Sequence, residues 1–344
     1  MGRRSDPDLS RRIAGHWYRP NLTLLTAALA PMAWAYGAVV AARRALYRMR
    51  VLRSETLPVP VIVVGNITAG GTGKTPLVIA LVQALAERGL HPGVVSRGFG
   101  RMSSQVQSVA ASSQASDVGD EPLLMARRGL HVAVGARRVD AARALLHAYR
   151  ACDVIVADDG LQHYALERDV EIAVIDGVRA LGNRRLIPAG PLREPPARLR
   201  GVDAVVVNDP AQGVAMHFDA STFVMRLVPR EFVNVADASR TLPLDAFTAR
   251  RVHAIAGIGH PARFFATLRD LRIDAIVKGF PDHHPMRRDD LPAEASVILM
   301  TEKDAVKCAA FGDARCWFLR VEAEVDRRLF DLVLARLPSR AKSR

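Results

Sequence analysis

At 344 residues and 49% hydrophobic content, the chain is long enough for one large or two ordinary domains and can bury a substantial core. Its formal net charge of +13 asks for an anionic partner: nucleic acid, an acidic lipid surface or an anionic substrate. The three cysteines, Cys152, Cys308 and Cys316, have no metal-like spacing and form a sparse, odd set, which excludes a disulfide framework and reads as packed thiols in a reducing compartment.

The charge is uneven. Residues 1–53 hold ten Arg, no Lys and two Asp, a net +8, which leaves +5 for the rest. Within them, residues 20–42 carry no charged side chain; Arg11, Arg12 and Arg19 precede the stretch, and Arg43, Arg44, Arg48, Arg50 and Arg53 follow it. At about 1.5 Å per helical residue this stretch is long enough to cross a bilayer core. The late, long apolar run and the nucleotide motif that follows argue against a cleaved signal peptide. A spanning helix would put the arginine-rich N-terminus outside, against the positive-inside tendency. A helix lying in the membrane interface, its arginines on anionic headgroups, avoids that conflict and is the favoured reading; a helix buried against the next domain is the bland one. Pro31 is expected to kink the helix.

Residues 61–89 organise the chain. Val61-Ile62-Val63-Val64 is an apolar β-branched run, the pattern of a buried parallel strand. Gly65-Asn66-Ile67-Thr68-Ala69-Gly70-Gly71-Thr72-Gly73-Lys74-Thr75-Pro76 follows, then helical spacing through Leu77, Leu81, Ala84 and Leu85 to Gly89. Strand, glycine-rich turn, Gly-Lys-Thr and helix form the context of a P-loop. In it Thr68, Ala69, Gly70, Gly71, Thr72 and Gly73 turn backbone N–H groups onto phosphate, Lys74 reaches the β/γ-phosphates and Thr75 sits on Mg²⁺. Thr68 departs from the general pattern, which has glycine at that position.

Next come a strand over His91–Gly100, ending near Arg97 and Arg101, and a Ser/Gln-rich mobile loop over Met102–Asp117. Gly119-Asp120-Glu121-Pro122 opens a helix, where acids suit the dipole. A short strand, His131–Gly135, and a helix, Asp140–Tyr149, follow. Ala151–Ala157 is an apolar strand ending in Asp158-Asp159-Gly160, where P-loop proteins place a carboxylate for Mg²⁺; Gln162 and His163 lie just beyond, able to face nucleotide or acceptor. After the strand Glu171–Asp176, the proline- and glycine-dense run Arg184–Pro196 forms a rigid loop that displays Arg193 and Glu194, either to a substrate or in a connector salt bridge. Asp203–Asn208 is a further strand and Phe223–Leu227 a linking one. A second α/β unit begins near Pro229, with strands over Arg251–Ala256, Leu271–Gly279, Val297–Met300 and Cys316–Val321 and a helix over Ala262–Leu271. Its Gly257-Ile258-Gly259 turn lacks the third glycine of a dinucleotide fingerprint. Phe280-Pro281-Asp282-His283-His284-Pro285 suits a base oriented by a carboxylate, or a metal site short of ligands, and Thr301-Glu302-Lys303-Asp304 follows a strand end. Arg340, Lys342 and Arg344 read as a frayed tail.

Taken in order, the stretch Val64–Pro76, Gly119-Asp120-Glu121-Pro122, Asp158-Asp159-Gly160-Leu161-Gln162-His163, Gly190-Pro191-Leu192-Arg193-Glu194-Pro195, Ala256–Gly259, Phe280–His284 and Thr301–Asp304 resemble the tetraacyldisaccharide 4'-kinase (lipid A 4'-kinase) family over nearly the whole chain. That family's loop also lacks the first glycine, so Thr68 fits it; Leu161 and His260 differ mildly from its usual Phe and Asn. The resemblance implies a P-loop NTPase-like parallel sheet domain, a second, smaller α/β domain completing the active-site cleft, and an N-terminal membrane-associated helix, as segments 1–53, 54–228 and 229–344. It implies a kinase on the cytosolic face of the bacterial inner membrane, using ATP and Mg²⁺ to phosphorylate the 4'-hydroxyl of a tetraacyldisaccharide 1-phosphate and give the 1,4'-bisphosphate, lipid IVA. The lipid disaccharide and the membrane surface are its partners, with neither nucleic acid nor an obligate protein partner. Carried over by motif, Asp120 pairs with His283, or alternatively His284, to activate the hydroxyl. Lys74 and Thr75 hold phosphate and Mg²⁺, while Glu121, Asp158 and Asp159 support the metal. Gln162, His163, Arg193, Glu194 and His284 are placed at the acceptor.

Two other classes compete. A membrane-recruited P-loop ATPase switch accounts for the loop, the carboxylates and the basic anchor, but needs neither Asp120 nor His283. A nucleic-acid-dependent ATPase would use the net charge, yet that charge concentrates beside an apolar segment without interleaved aromatics.

Overall fold

A computed structural model describes residues 15–19, 23–210 and 218–338; Arg11 and Arg12 and the tail residues Arg340, Lys342 and Arg344 lie outside them. The chain forms two compact units that interleave along the sequence. One comprises the chain up to Lys74, Ala157–Met225 and the chain from Val325; the other comprises Thr75–Val156 and Arg226–Glu324. The consecutive segments 1–53, 54–228 and 229–344 do not coincide with this division, because the chain leaves the first unit just after the P-loop lysine and returns to it twice.

In the first unit four strands run parallel, in the order Val61–Gly65, Val170–Asp176, Ala204–Asn208 and the beginning of Ser221–Asn234. Ile62 pairs with Val170, Ile172 with Ala204, and Ala204 with Ser221. Val61–Gly65 and Ala204–Asn208 are buried at every position, so their apolar runs do not alternate, as a parallel sheet covered on both faces requires. Parallel strands bring their C-terminal ends to one edge, where ligands of open α/β sheets collect. Gly65, Asp176 and Asn208 close three strands at that edge, and the P-loop leaves from it.

The N-terminal apolar stretch folds as two helices, Leu24–Ala28 and Ala30–Arg48. Thr23 and Thr26 cap the first reciprocally, at 3.3 and 3.1 Å. Pro31 does not kink a continuous helix as expected. It stands in the first turn of the second helix, where its missing N–H costs no intrahelical bond. Thr26, Ala30 and Ala33 face inward, while Leu24, Met32, Trp34 and Val39 are exposed. Gly37 permits close packing, since a Cβ there would stand 2.8 Å from Leu186 Cδ1. Among the described residues no helix is long and apolar enough to cross a membrane.

The second unit holds two sets of strands. Pro92–Ser96 pairs parallel with Val132–Val134, and Gln107–Val109 adds antiparallel to the latter. That edge strand, with the short helix Ala115–Val118, lies where an unstructured loop was expected; three residues are too few to signal a strand by alternation. The other set runs parallel in the order Asp274–Gly279, Arg251–Ala256, Ile298–Thr301 and Cys316–Val325. Phe232, Phe247, Phe264, Leu268 and Trp317 fill one core cluster, Phe232 and Phe247 meeting edge-on at 4.9 Å between centroids. Met286, Met300, Cys308 and Cys316 belong to another. All three cysteines are free and buried. Burial pushes Cys152 up to about 11 and Cys308 and Cys316 up to about 12, which keeps them protonated and inert.

Candidate active site

The P-loop is held by its own asparagines and by the proline-rich loop. Thr68 bridges Leu192 in antiparallel fashion, Ala69 N donates to Pro191 O at 2.7 Å, and Arg193 N donates to Ile67 O at 2.7 Å. Thr68 is therefore extended chain paired with a neighbour and does not need glycine's freedom. The left-handed conformations fall at Gly70 and Gly73, with φ of 96° and 88°. Buried Asn66 donates through Nδ2 to Thr68 O at 2.8 Å and Gly70 O at 3.2 Å, and its Oδ1 accepts from Lys74 Nζ at 3.2 Å. Asn208 Nδ2 donates to Thr72 O at 3.0 Å and occupies the space that a Cβ on Gly73 would fill. The sequence reading assigned no role to either asparagine, although a polar residue closing the all-apolar run Ala204-Val205-Val206-Val207-Asn208 was a signal.

Lys74 is held at the loop by charge as well. Its Nζ lies 3.4 Å from Asp159 Oδ1, and Arg193 Nη1 lies 3.2 Å from Asp159 Oδ2. Burial alone would raise the Asp159 carboxyl, but Lys74 and then Arg193 outweigh it and hold it at about 2. Asp159 keeps a left-handed backbone, φ 49°, and buried Asp158 ends its strand just before it. Arg193 O accepts from Tyr36 Oη at 3.0 Å, so the second N-terminal helix braces the same loop.

Of the remaining residues expected at the acceptor in this unit, Gln162 Nε2 donates to Asn66 O at 3.1 Å, and His163 O accepts from Arg168. Glu194 is held in an ion pair, the connector role that the proline-rich loop also allowed. It is 1% exposed, accepts from Tyr164 Oη and lies 3.3 Å from Arg198 Nε. Burial and then Glu194 push the Tyr164 phenol up to about 12, so it stays a donor. Glu194 ties the loop down from inside while its neighbour Arg193 meets Asp159.

The second unit assembles a separate cluster. Gly119, with φ 94° and ψ 153°, caps the helix Asp120–Arg127; a Cβ on it would stand 3.0 Å from the Gly98 backbone. Asp120 Oδ2 lies 3.4 Å from His283 Nδ1, and the Phe99 ring covers that imidazole at 4.7 Å. His283 has a left-handed backbone, φ 58°, an uncommon conformation for a residue with a Cβ. His284 is used elsewhere: it stacks on Phe280 at 4.5 Å and its Nε2 meets Asp290 Oδ2 at 2.9 Å. Of the two histidines, His283 is the partner of Asp120.

Each residue of Thr301-Glu302-Lys303-Asp304 has a distinct duty. Thr301 Oγ1 caps the helix Glu302–Cys308 by accepting from Asp304 N at 3.2 Å. Glu302 takes a forked pair from Arg128 at 2.6 and 2.7 Å, clamping this helix to Asp120–Arg127. Fully buried Asp304 accepts from Gly257 N at 2.9 Å, so the glycine turn seats a carboxylate. Lys303 Nζ reaches Glu121 Oε1 at 3.0 Å, Asp282 Oδ1 at 3.3 Å and His283 Nε2 at 3.3 Å. Glu121, expected to support the metal, here takes the Lys303 ammonium.

The residues present fit a nucleotide with Mg²⁺. Two positive-φ glycines shape the loop, a lysine stands at its end, and buried Thr72 Oγ1 has no protein partner. Among the described residues no group of three or more His, Cys, Asp or Glu could hold a metal. Nucleotide-bound Mg²⁺ does not require one, since phosphate and water supply most of its octahedral shell.

Known proteins resemble this chain over most of its length. The family model described as Tetraacyldisaccharide-1-P 4'-kinase matches residues 25–338. A "Tetraacyldisaccharide 4'-kinase" of Methylobacillus flagellatus is 47% identical over 332 residues, covering 95% of this chain and 96% of the relative. One of Azoarcus sp. is 49% identical over 311 residues, covering 90% and 91% respectively. Among solved structures, the "apo" form of LpxK from Aquifex aeolicus in complex with ATP superposes with a TM-score of 0.80 at 30% identity, covering 92% of this chain and 100% of that one.

Proposed function

The chain belongs to the tetraacyldisaccharide-1-phosphate 4'-kinase family, and from that premise we infer that it transfers the ATP γ-phosphate to the 4'-hydroxyl of a tetraacyldisaccharide 1-phosphate, forming lipid IVA. Asp120 takes the hydroxyl proton as the sugar oxygen bonds to γ-phosphorus. The bond from γ-phosphorus to the bridging oxygen breaks, and its electron pair leaves with ADP. An alcohol is a poor nucleophile at neutral pH, so a carboxylate steadied by His283 Nδ1 aids attack. Lys74 binds phosphate oxygens, and the P-loop amides of residues 68–73 orient them. The Thr75 hydroxyl, Asp158 and Asp159 would hold Mg²⁺, which when bound would supply charge neutralisation on the phosphates. Arg193, Gln162 and His163 meet the acceptor or the transferring group.

The observation that carries this reading is the Asp120–His283 pair at 3.4 Å. A membrane-recruited ATPase switch would use the P-loop but would have no need of that pair. We further infer that the enzyme works at the cytosolic face of the inner membrane. The helices Leu24–Ala28 and Ala30–Arg48 would lie in the interface, with exposed Leu24, Trp34 and Val39 among acyl chains and the flanking arginines on anionic headgroups. The test is incubation of the detergent-solubilised protein with γ-labelled ATP, Mg²⁺ and the tetraacyl disaccharide 1-phosphate. Wild type labels the lipid, and Asp120→Ala lowers the rate by about 10²–10⁴-fold, the range of general base catalysis. ATP hydrolysis indifferent to lipid, with no labelled lipid, would support the switch instead.

A further inference from the structure

We propose that Lys303 is a positioning residue that fixes the tautomer of His283, donating to Nε2 so that the proton on Nδ1 faces Asp120. This deepens the kinase reading and rests on it for its catalytic consequence. An ammonium has three N–H donors and no acceptor. Lys303 Nζ has three acceptors within reach: Glu121 Oε1 at 3.0 Å, Asp282 Oδ1 at 3.3 Å and His283 Nε2 at 3.3 Å. A ring nitrogen facing an ammonium must offer its lone pair. A neutral imidazole then carries its hydrogen on Nδ1, the atom 3.4 Å from Asp120 Oδ2. Nδ1 is buried and makes no hydrogen bond in this structure, so its proton lies on the side of Asp120, where a small approach would join it to one carboxylate oxygen and leave the other for the hydroxyl. Nε2 is already engaged, so His283 orients while Asp120 accepts the proton.

The position is a costly one for a lysine. Lys303 is in the first turn of its helix, where a cation opposes the helix dipole, and its side chain is only 16% exposed. Burial would lower its affinity for a proton, but Glu121 and Asp282, with Asp120 beyond, outweigh burial and raise it, so the ammonium persists across the working pH range. A structural ion pair would be complete with Glu121 and Asp282 alone. The third contact, to the imidazole of the residue paired with Asp120, marks a role at the site. The groups facing His283 are Asp120, Asp282 at 3.9 Å from Nε2, Lys303 and the uncharged Phe99 ring, with Glu121 acting through Lys303.

The test is nitrogen-15 NMR of histidine-labelled protein, with the His283 signals assigned by their loss in His283→Gln, alongside steady-state kinetics. In wild type, Nε2 should show the unprotonated shift and Nδ1 the protonated one. In Lys303→Met the tautomer should redistribute toward Nε2–H. kcat should fall by about tenfold to a hundredfold, less than loss of the base itself, with KM for ATP unchanged. Since Lys303→Met strands Glu121, the double variant Lys303→Met/Glu121→Gln is measured too; it should recover Tm but neither the rate nor the tautomer. A wild-type Nε2 that is protonated would overturn the proposal, as would a Lys303→Met protein with unchanged tautomer but lower Tm. The NMR readout needs no acceptor, so absent lipid phosphorylation with the Nδ1–H tautomer intact would fault the kinase reading and leave this one standing.

Discussion

Asp159 is set between two cations, Lys74 and Arg193. Its carboxyl sits at about 2 because those cations outweigh its burial. A carboxyl depressed in the folded state stabilises above its unfolded value, near about 4, and that stability is lost as pH falls through the folded value. The advantage of wild type over Asp159→Asn in urea midpoint should thus be complete above about pH 4 and vanish as pH approaches about 2. The side chain is about a third exposed, so screening keeps the effect modest. A difference independent of pH would show that packing, not charge, governs this site. At this scale much was legible: Lys74, Asp120 and the two histidines stand in motifs whose chemistry is plain from residue type. For Glu194 the sequence left substrate contact and a connector ion pair both open, because exposure is not written in a dipeptide. Its neighbour Arg193 turns to Asp159, while Glu194 points inward to Tyr164 and Arg198.

Among the elements, the second N-terminal helix links an apolar outer face to the P-loop surroundings. Thr26, Ala30 and Ala33 pack inward, Tyr36 bonds Arg193 O, and Trp34, 71% exposed, and Val39 look outward with Leu24. Glutamate at Trp34 and Val39 should leave Tm within about a degree or two, since exposed positions rarely move stability by more than about 0.5 kcal/mol. The same change should lower cosedimentation with vesicles containing anionic phospholipid severalfold. Unchanged cosedimentation would locate membrane attachment elsewhere on the protein. The sequence made the apolar run and its flanking arginines visible, but it did not show that the run breaks at Leu29, with Pro31 opening a new helix. The edge strand Gln107–Val109 was likewise hidden, because its pairing partner, not its own pattern, makes it a strand.

For the molecule as a whole, the order of motifs disclosed an α/β kinase, while the interleaving of its two units did not follow from that order. Strands grouped by pairing need not be grouped in sequence, and the chain divides within the P-loop motif itself, after Lys74. The chemistry nevertheless divides cleanly. Asn66, Lys74, Asp159 and Arg193 lie together in the first unit and Asp120, His283 and Lys303 in the second; the proposed function gives the first set the phosphates and the second the hydroxyl. A phosphotransferase with a sugar hydroxyl as acceptor needs both sets. The most direct test is phosphorus–proton correlation NMR of the lipid recovered after reaction with ATP and Mg²⁺. The account predicts a second phosphate monoester resonance that correlates with the proton on carbon 4' and is missing from the Asp120→Ala reaction. Only the original 1-phosphate resonance, with ADP accumulating at the same rate whether or not lipid is present, would contradict it.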